Sequence, residues 1–319
     1  MKPAPTHQCC VIALPGSGLS CVQTDSARHF PRHAHATHGL GLLDQGAQAS
    51  ASGRGAVQAH AGDIITNNPG EVHDGRPLGG PSRRWRIVHL PPQWLESSLQ
   101  AGLAAPAMPG PSGDSAFTAP VIRDQRLADA LRRLLARLQG AGQAPQTGGK
   151  ARASADEVAA TAAAAAQPPA ADPPAHGVVR GVESALMMAT DEALADVCAV
   201  LAAGGHVTRA LPPEANAAVH EVRDRLADEW LQPPSLATLA AMAGLSRYQL
   251  LRRFRAAYGL PPHAWLLQQR AERARALIRG GAGLAQAAAD AGFADQSHMT
   301  RTFARHFGYT PGAWLAALR

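Results

Sequence analysis

The sequence predicts an α+β protein in which an antiparallel β-barrel precedes an all-α domain with two helix-turn-helix units. Three observations support this prediction. Short apolar runs alternate with turn residues over 19–90, amphipathic helical patterns follow residue 120, and one helical unit occurs twice after residue 235. The chain has 319 residues, which is long enough for two such domains.

The first part of the chain has the short apolar runs and intervening turn residues that are typical of short strands. Residues 1–18 show no regular pattern and are predicted to form an N-terminal arm. Residues 19–120 are predicted to form one domain, and over 19–90 apolar runs such as GLGLLDQG and RRWRIVHL are separated by Gly, Pro and Asn, which favour turns. This pattern indicates an antiparallel sheet or a small barrel.

Two amphipathic helices are predicted within residues 121–203. Leucines at helical spacing give 122–139 one apolar stripe, and 182–202 repeats the arrangement. The helices can pack as a hairpin, form the seam of a dimer, or do both. Between them, 141–176 is rich in Ala, Pro and Gly and is predicted to be a disordered insert, because it has almost no large apolar side chain to bury. Residues 204–217 are the predicted linker to the last domain.

The positive charge lies in the last hundred residues. The formal net charge is +6, and residues 220–319 hold 13 Arg against 7 Asp and Glu, which accounts for all of it. A basic domain beside a neutral remainder indicates a polyanionic partner, with nucleic acid as the leading candidate. A solvated basic face is the alternative that charge alone leaves open.

The cysteines indicate a reducing compartment. Cys9, Cys10, Cys21 and Cys198 fit neither a zinc spacing nor a disulfide framework, so we expect free thiols in the cytoplasm. The apolar stretch CCVIALPGSGLSC is too short to span a membrane and is broken by proline and glycine. We therefore expect a cytoplasmic protein with no membrane partner.

One supersecondary unit occurs twice in the predicted domain 218–319. Residues 236–265 align with 284–314, with glycines, internal apolar residues and a final tryptophan at matching positions. In each unit a short helix ends near a glycine, and a second helix begins after Ser246 or Asp295, which are good N-cap residues. Helix, tight turn and helix is the arrangement whose second helix enters the major groove of DNA.

The two predicted recognition helices expose side chains that can read bases. Arginine and glutamine can make paired hydrogen bonds to guanine and adenine edges. The exposed positions of the two helices carry Arg247, Tyr248, Gln249, Arg252 and Arg253, and Gln296, Ser297, His298, Thr300 and Arg301. A connecting helix over 264–280 would fix one recognition helix relative to the other, so that one chain could read two successive major grooves. The alternative is two helical hairpins that pack only on each other.

Over 218–319 the sequence resembles the AraC/XylS family of bacterial transcription regulators, and GFADQSHMTRTFARHFGYTPGAW is the most specific signature. The resemblance implies sequence-specific binding to double-stranded promoter DNA, with RNA polymerase as a further partner of an activator. It implies base contacts from Tyr248, Leu251 and Arg252 in the first unit, and from Gln296, Ser297, His298 and Arg301 in the second. Leu251 departs from the polar residue often found there, so the first helix would read fewer bases or rely on thymine methyl contact.

Residues 19–90 resemble the cupin-type ligand-binding barrel of the same family, through HFPRHAHATHGLGLLDQG and AGDIITNNPGEVHDG. The resemblance implies a small-molecule effector inside the barrel and a homodimer paired through the helices that follow it. The polar residues expected to bind the effector are His33, His35, His38, Glu71, His73 and Arg86.

The histidine cluster HFPRHAHATHG has three interpretations. Cupins that bind metal commonly use His-x-His, then a carboxylate, then a distant histidine, and His33, His35 and His73 could supply the histidines. The carboxylate is missing from its usual place, although His38 could substitute, so the ligand set is incomplete. Effector-lining histidines are therefore favoured over structural histidines at the barrel mouth and over a metal site. No cofactor and no catalytic residue is expected. The alternative function is a metal-dependent cupin sensor or enzyme fused to a DNA-binding domain.

Overall fold

The structure is a computed structural model, and the residues that it describes are 7–14, 17–93, 95–96, 115–142, 176–209 and 217–318. An N-terminal β domain is followed by a helical pair and then by a helical C-terminal domain. This order confirms the predicted fold class. Among the described residues, no helix has the length and apolar character needed to cross a membrane.

The N-terminal domain consists of two antiparallel sheets. Strands β1–β9 span His7–Ala13, Ser20–Ser26, Phe30–His33, His38–Gln45, Ala47–Ser52, Gly55–His60, Ile64–Asn67, His73–Pro77 and Arg83–Leu90. Three short strands are β10, Ser115–Phe117; β11, Val121–Ile122; and β12, Val207–Arg209. The larger sheet has the order β1-β2-β9-β4-β7-β11 and the smaller has the order β3-β8-β5-β6, while β10 and β12 form a separate two-stranded sheet. A cavity lies between the two sheets, as expected for a small barrel.

Two segments that we predicted to be irregular contain strands. The predicted arm includes β1, which pairs with β2 from His7↔Ser26 to Ala13↔Ser20. Val11 and Ala13 of β1 are buried against the C-terminal domain, and local sequence patterning does not reveal a partner so distant in sequence. The predicted linker 204–217 contains β12, which pairs with β10, while 210–216 lies outside the described residues.

The helical pair packs as the predicted hairpin. Helix α1 spans Gln125–Gly142 and α2 spans His176–Ala203. The leucine stripe of α1 and the facing side chains of α2 belong to one core with strands of the larger sheet. These buried residues are Leu127, Leu131, Leu134, Leu135, Leu138, Leu194, Val197 and Leu201. Residues 143–175, which include nearly all of the predicted insert 141–176, lie outside the described residues.

The C-terminal domain contains the two predicted helix-turn-helix units. Its helices are α3, Ala217–Asp228; α4, Leu236–Met242; α5, Arg247–Tyr258; α6, Pro262–Arg279; α7, Leu284–Asp290; α8, Gln296–Phe307; and α9, Pro311–Ala317. The first unit, α4 and α5, packs around Leu239, Leu250 and Phe254. The second unit, α7 and α8, packs around Met299 and Phe303. Helix α6 contributes to both cores and thereby connects the two units.

The two domains share an apolar core. Val11, Ala13 and Val22 of the larger sheet belong to the same buried cluster as the second helix-turn-helix unit, α6 and α9. Polar contacts surround this cluster. The His7 Nε2 atom lies 2.7 Å from the Gly308 carbonyl oxygen, and the Ala34 amide donates to the Gln268 side chain at 3.1 Å. The barrel is therefore packed directly against the second helix-turn-helix unit.

Candidate functional site

The two predicted recognition helices, α5 and α8, begin at the predicted N-caps. The Ser246 hydroxyl accepts from the Gln249 amide at 3.2 Å, and the Gln249 side chain accepts from the Ser246 amide, which forms a capping box. The Asp295 carboxylate accepts from the His298 amide at 2.7 Å. These caps fix the first turn of each helix, where base-reading side chains of a helix-turn-helix lie.

The predicted base-reading residues lie on the solvent side of these helices. Tyr248 is 75% exposed and Leu251 is 36% exposed, although both are large apolar or aromatic residues. The other exposed members of the predicted set are Arg247, Arg252, Gln296, Ser297 and Arg301. His298 is half-buried, with its ring edge on Phe293 at 5.3 Å between centroids. The inward positions of both helices carry the core residues, so the outward faces are available to a ligand.

A second candidate site is the cavity between the two sheets of the barrel, with a volume of about 120 Å³. Side chains from both sheets line it, including Phe30, Trp85 and Ile87. His306, Phe307 and the Gly308 backbone at the end of α8 also line it. The cavity therefore has a wall contributed by the C-terminal domain.

A group of histidines forms the end of the cavity nearest to that domain. His33, His35 and His73 come from the barrel, and the ring centroids of His35 and His306 lie 5.5 Å apart. His33 Nδ1 lies 2.7 Å from the Pro31 carbonyl oxygen, and His73 Nδ1 lies 2.9 Å from that of Glu71. A carbonyl oxygen only accepts, so Nδ1 carries the proton in both rings and Nε2 is the free nitrogen when the ring is neutral.

Burial keeps the rings of His33, His35 and His73 neutral. Desolvation, with repulsion from neighbouring histidines, holds the pKa of His33 and of His35 well below the ordinary value. Desolvation also lowers the pKa of His73, and it lowers that of His89 to about 3, helped by the charge of Arg275. Neutral imidazoles can accept hydrogen bonds or ligate a metal ion.

Glu272 of α6 places a carboxylate beside this histidine group. Its Oε1 accepts from the Ala36 amide at 3.1 Å and lies 3.6 Å from His306 Nε2. Burial alone would raise the pKa of Glu272, but the His306 ring and the charge of Arg275 outweigh burial and hold that pKa below its usual range. The carboxylate that the sequence around the histidine cluster lacks is therefore supplied by the other domain.

Four of the six predicted effector residues line the cavity, namely His33, His35, Glu71 and His73. Glu71 also pairs with Arg54 at 2.7 Å. The remaining two are not among the residues that line the cavity. Arg86 faces α1 and pairs with Asp44 at 2.7 Å, while His38 is buried with its ring edge on Phe117.

Strand alternation explains the position of Arg86. Trp85 and Ile87 point into the cavity, so the residue between them must point out of the other face of the sheet. This signal was present in the sequence. The cavity-lining residues that the sequence did not reveal include Arg83, His89, His306 and Phe307. For His306 and Phe307 no local pattern could reveal the role, because it depends on how the domains meet.

Comparison with known proteins matches each domain separately. Residues 19–160 match the family model described as AraC-like ligand binding domain, and residues 239–317 match the model described as helix-turn-helix domain. The HTH-type transcriptional regulator MtrA of Neisseria gonorrhoeae is 30% identical over 97 residues, which cover 30% of this chain and 31% of the relative. The virulence regulon transcriptional activator VirF of Yersinia enterocolitica is 32% identical over 85 residues, or 26% and 31% of the two chains. These matches span about a third of the relatives' length.

Two solved structures are similar to this chain over different lengths. ToxT from Vibrio cholerae O395 is 9% identical, with 98% of each chain covered and a TM-score of 0.46. The DNA-binding domain of AdpA, solved in complex with a target DNA, is 30% identical over 32% of this chain and 93% of that chain, with a TM-score of 0.30.

Proposed function

This chain belongs to the AraC family of transcription regulators, and from that premise we propose that it binds double-stranded promoter DNA under the control of a small molecule in the barrel. The observation that supports DNA binding is the pair of capped recognition helices with outward arginine, glutamine and tyrosine side chains. They belong to the part of the chain that holds the whole formal charge, which attracts the phosphate backbone.

Control by an effector follows from the composition of the cavity wall. A molecule bound between the sheets would contact His306 and Phe307, which lie in the last turn of the recognition helix α8. A ligand shifts a conformational equilibrium only when it binds the two states with different affinity. Contact with both domains supplies that difference, because the wall changes whenever the domains move relative to each other.

We expect the effector to be an anion. Arg83 lines the cavity, is 2% exposed and has no acidic partner among the described residues. Its guanidinium donates to the Gln48 side chain and lies over the ring of Trp85 at 4.7 Å. Burial lowers the pKa of Arg83 to about 10, so the group remains charged at neutral pH. A buried cation without a counter-ion favours a ligand that carries a carboxylate.

The remaining parts of the proposal concern assembly and location. We propose a homodimer paired through α1 and α2, where Met188 is 63% exposed on α2, and contact with RNA polymerase if the protein activates transcription. We place the protein in the cytoplasm, where promoter DNA is accessible. The proposed activity is regulation of transcription, with no catalytic step.

The test of DNA binding starts from a selected operator. The full chain is used to select preferred duplexes from a random pool, and binding is then measured by fluorescence anisotropy at fixed salt. Arg301→Ala should lose about 1–3 kcal/mol on the selected duplex and less on duplexes altered at one base pair. Arg84→Ala removes an exposed arginine from the barrel and is the charge-matched control. Equal losses for the two variants would contradict base reading by α8.

The test of the effector uses matched pairs of small carboxylic acids and their neutral amides. A true ligand raises the melting temperature of the full chain by mass action. Acids should stabilise the chain and their amides should not. Stabilisation by both members of a pair would contradict the role of Arg83.

A further inference from the structure

We propose that His35, Glu272 and His306 bind a divalent transition-metal ion, with zinc as the representative, at the junction of the barrel and the DNA-binding domain. Each residue comes from a different element. His35 lies between β3 and β4, Glu272 lies on α6, and His306 lies on α8. One possible ligand atom from each residue lies within 4.8 Å of the others, so small side-chain movements would bring all three to one ion.

Two nitrogens at this junction are buried without a hydrogen-bond partner. His35 Nδ1 and His306 Nε2 have none among the described residues, and the two side chains are 9% and 4% exposed. The Glu272 carboxylate is 3.6 Å from His306 Nε2, which is longer than an ordinary hydrogen bond. Buried polar atoms are rarely left unpaired in folded proteins. A cation coordinated by these atoms would satisfy both nitrogens together.

The donor set suits zinc and similar ions. Two imidazoles and one carboxylate are the three protein ligands of a common open zinc site, whose fourth position holds water or a small ligand. The fourth position would face the cavity, since His35 and His306 both line it.

Arg275 opposes a cation at this place. One guanidinium nitrogen lies 3.7 Å from Glu272 Oε2, and the side chain is 4% exposed. However, the same guanidinium donates to the Ser20 hydroxyl at 3.2 Å and lies over the Trp314 ring at 4.8 Å. Arg275 is therefore held by other groups, and Glu272 can turn an oxygen toward the histidines. A Glu272–Arg275 ion pair without metal is the competing explanation that the experiment must separate.

The barrel offers a second triplet, His33, His35 and His73, which shares one residue with the proposed site. That triplet lies within one domain and lacks a carboxylate. An ion held there would leave the relative position of the domains unaffected. The interdomain triplet instead would tie the barrel to the helix that carries Arg301. An effect of the ion on DNA binding rests on the proposed function, while the metal site itself does not.

The experiment uses the full chain without an affinity tag, stripped with a chelator and titrated with Zn²⁺ alone. One ion should bind per chain, and Co²⁺ in its place should show the intense visible absorption of a four-coordinate site. Glu272→Gln and His306→Ala should each weaken Zn²⁺ binding at least tenfold, with circular dichroism reporting whether the variants fold. Glu272→Asp should recover part of the affinity, which a variant that merely misfolds would not do.

Two controls separate the alternatives. His263→Ala removes an exposed histidine from α6, the helix that carries Glu272, and should bind Zn²⁺ as the natural chain does. His73→Ala should also retain binding, whereas its loss with no effect of Glu272→Gln would place the ion inside the barrel and overturn the proposal. Absence of stoichiometric binding would also overturn it. Anisotropy with the selected duplex separates this outcome from failure of the proposed function. A chain that does not bind Zn²⁺ but still binds the duplex refutes only the metal site.

Discussion

Gly259 and Gly308 occupy matching positions of the two helix-turn-helix units, and their alanine variants should differ in stability. Both residues have left-handed backbone angles, with φ of 73° and 82°. Such a conformation costs alanine about 1–2 kcal/mol. A methyl group at Gly308 would have its nearest neighbour at 3.6 Å, an ordinary contact, whereas one at Gly259 would lie 2.6 Å from Cβ of Val72. Val72 belongs to the barrel and cannot rotate its Cβ away.

The two costs add for Gly259. Overpacking of a tight contact costs about 1–3 kcal/mol, so Gly259→Ala should lower the free energy of unfolding by about 2–5 kcal/mol. Gly308→Ala should lower the free energy of unfolding only by the cost of the left-handed backbone conformation. Gly244→Ala is a second control, since its φ is 62° and no neighbour lies within 4 Å. Urea unfolding of the full chain, followed by tryptophan fluorescence, measures the three losses.

A further variant tests the origin of the difference. Val72→Ala removes two of the three contacting atoms, at 2.8 and 3.1 Å, so in the Gly259→Ala background it should recover part of the lost stability. Equal losses for Gly259→Ala and Gly244→Ala would refute the reasoning. They would mean that the barrel does not contact the first helix-turn-helix unit at this point.

Three other predictions concern the barrel, the helical pair and a helix cap. Glu71→Gln should make the free energy of unfolding fall less steeply in acid. Burial alone would raise the pKa of Glu71, but its arginine and backbone partners lower that pKa in the folded protein, so its stabilising contribution is present above the pKa of the unfolded chain and is lost as pH falls through the pKa of the folded protein. An unchanged slope of unfolding free energy against pH would contradict this prediction. Leu134 is 0% exposed, so Leu134→Ala should lower the free energy of unfolding in urea by about 2–5 kcal/mol. The exposed Leu251→Ala should lower it only slightly, and equal losses for the two variants would contradict the core between α1 and α2. Ser246→Ala should cost about 1 kcal/mol by removal of its cap, and a thermal melt should show almost no loss for the exposed Ser297→Ala.

The sequence predicted features that depend on nearby residues. Ser246 and Asp295 are local signals, and the structure confirms both caps. The repeat predicted the two helix-turn-helix units because each has its own apolar pattern. The strand β1 was missed because Val11 and Ala13 are buried in the core of the C-terminal domain, where α9 contacts the strand, and nothing near β1 in the sequence signals that partner.

The sequence predicted the part of the candidate site that lies in the barrel, but not the part that lies in the C-terminal domain. His33, His35 and His73 were found from their spacing. Glu272 and His306 were missed because their helices were already interpreted as the connecting helix and the second recognition helix. The position of Arg86 could have been predicted from alternation with Trp85 and Ile87, since neighbouring strand residues face opposite sides.

The apolar core shared between Val11, Ala13 and Val22 of the barrel and the second helix-turn-helix unit limits how the domains of this chain can be exchanged with those of other proteins. A chimera that joins another ligand-binding domain at residue 217 would leave this unit facing a foreign surface. The exposed apolar side chains would favour aggregation unless the donor barrel presents matching small residues on its first two strands. Exchange of the N-terminal domain should therefore succeed when β1 and β2 are transferred together with the helices that cover them.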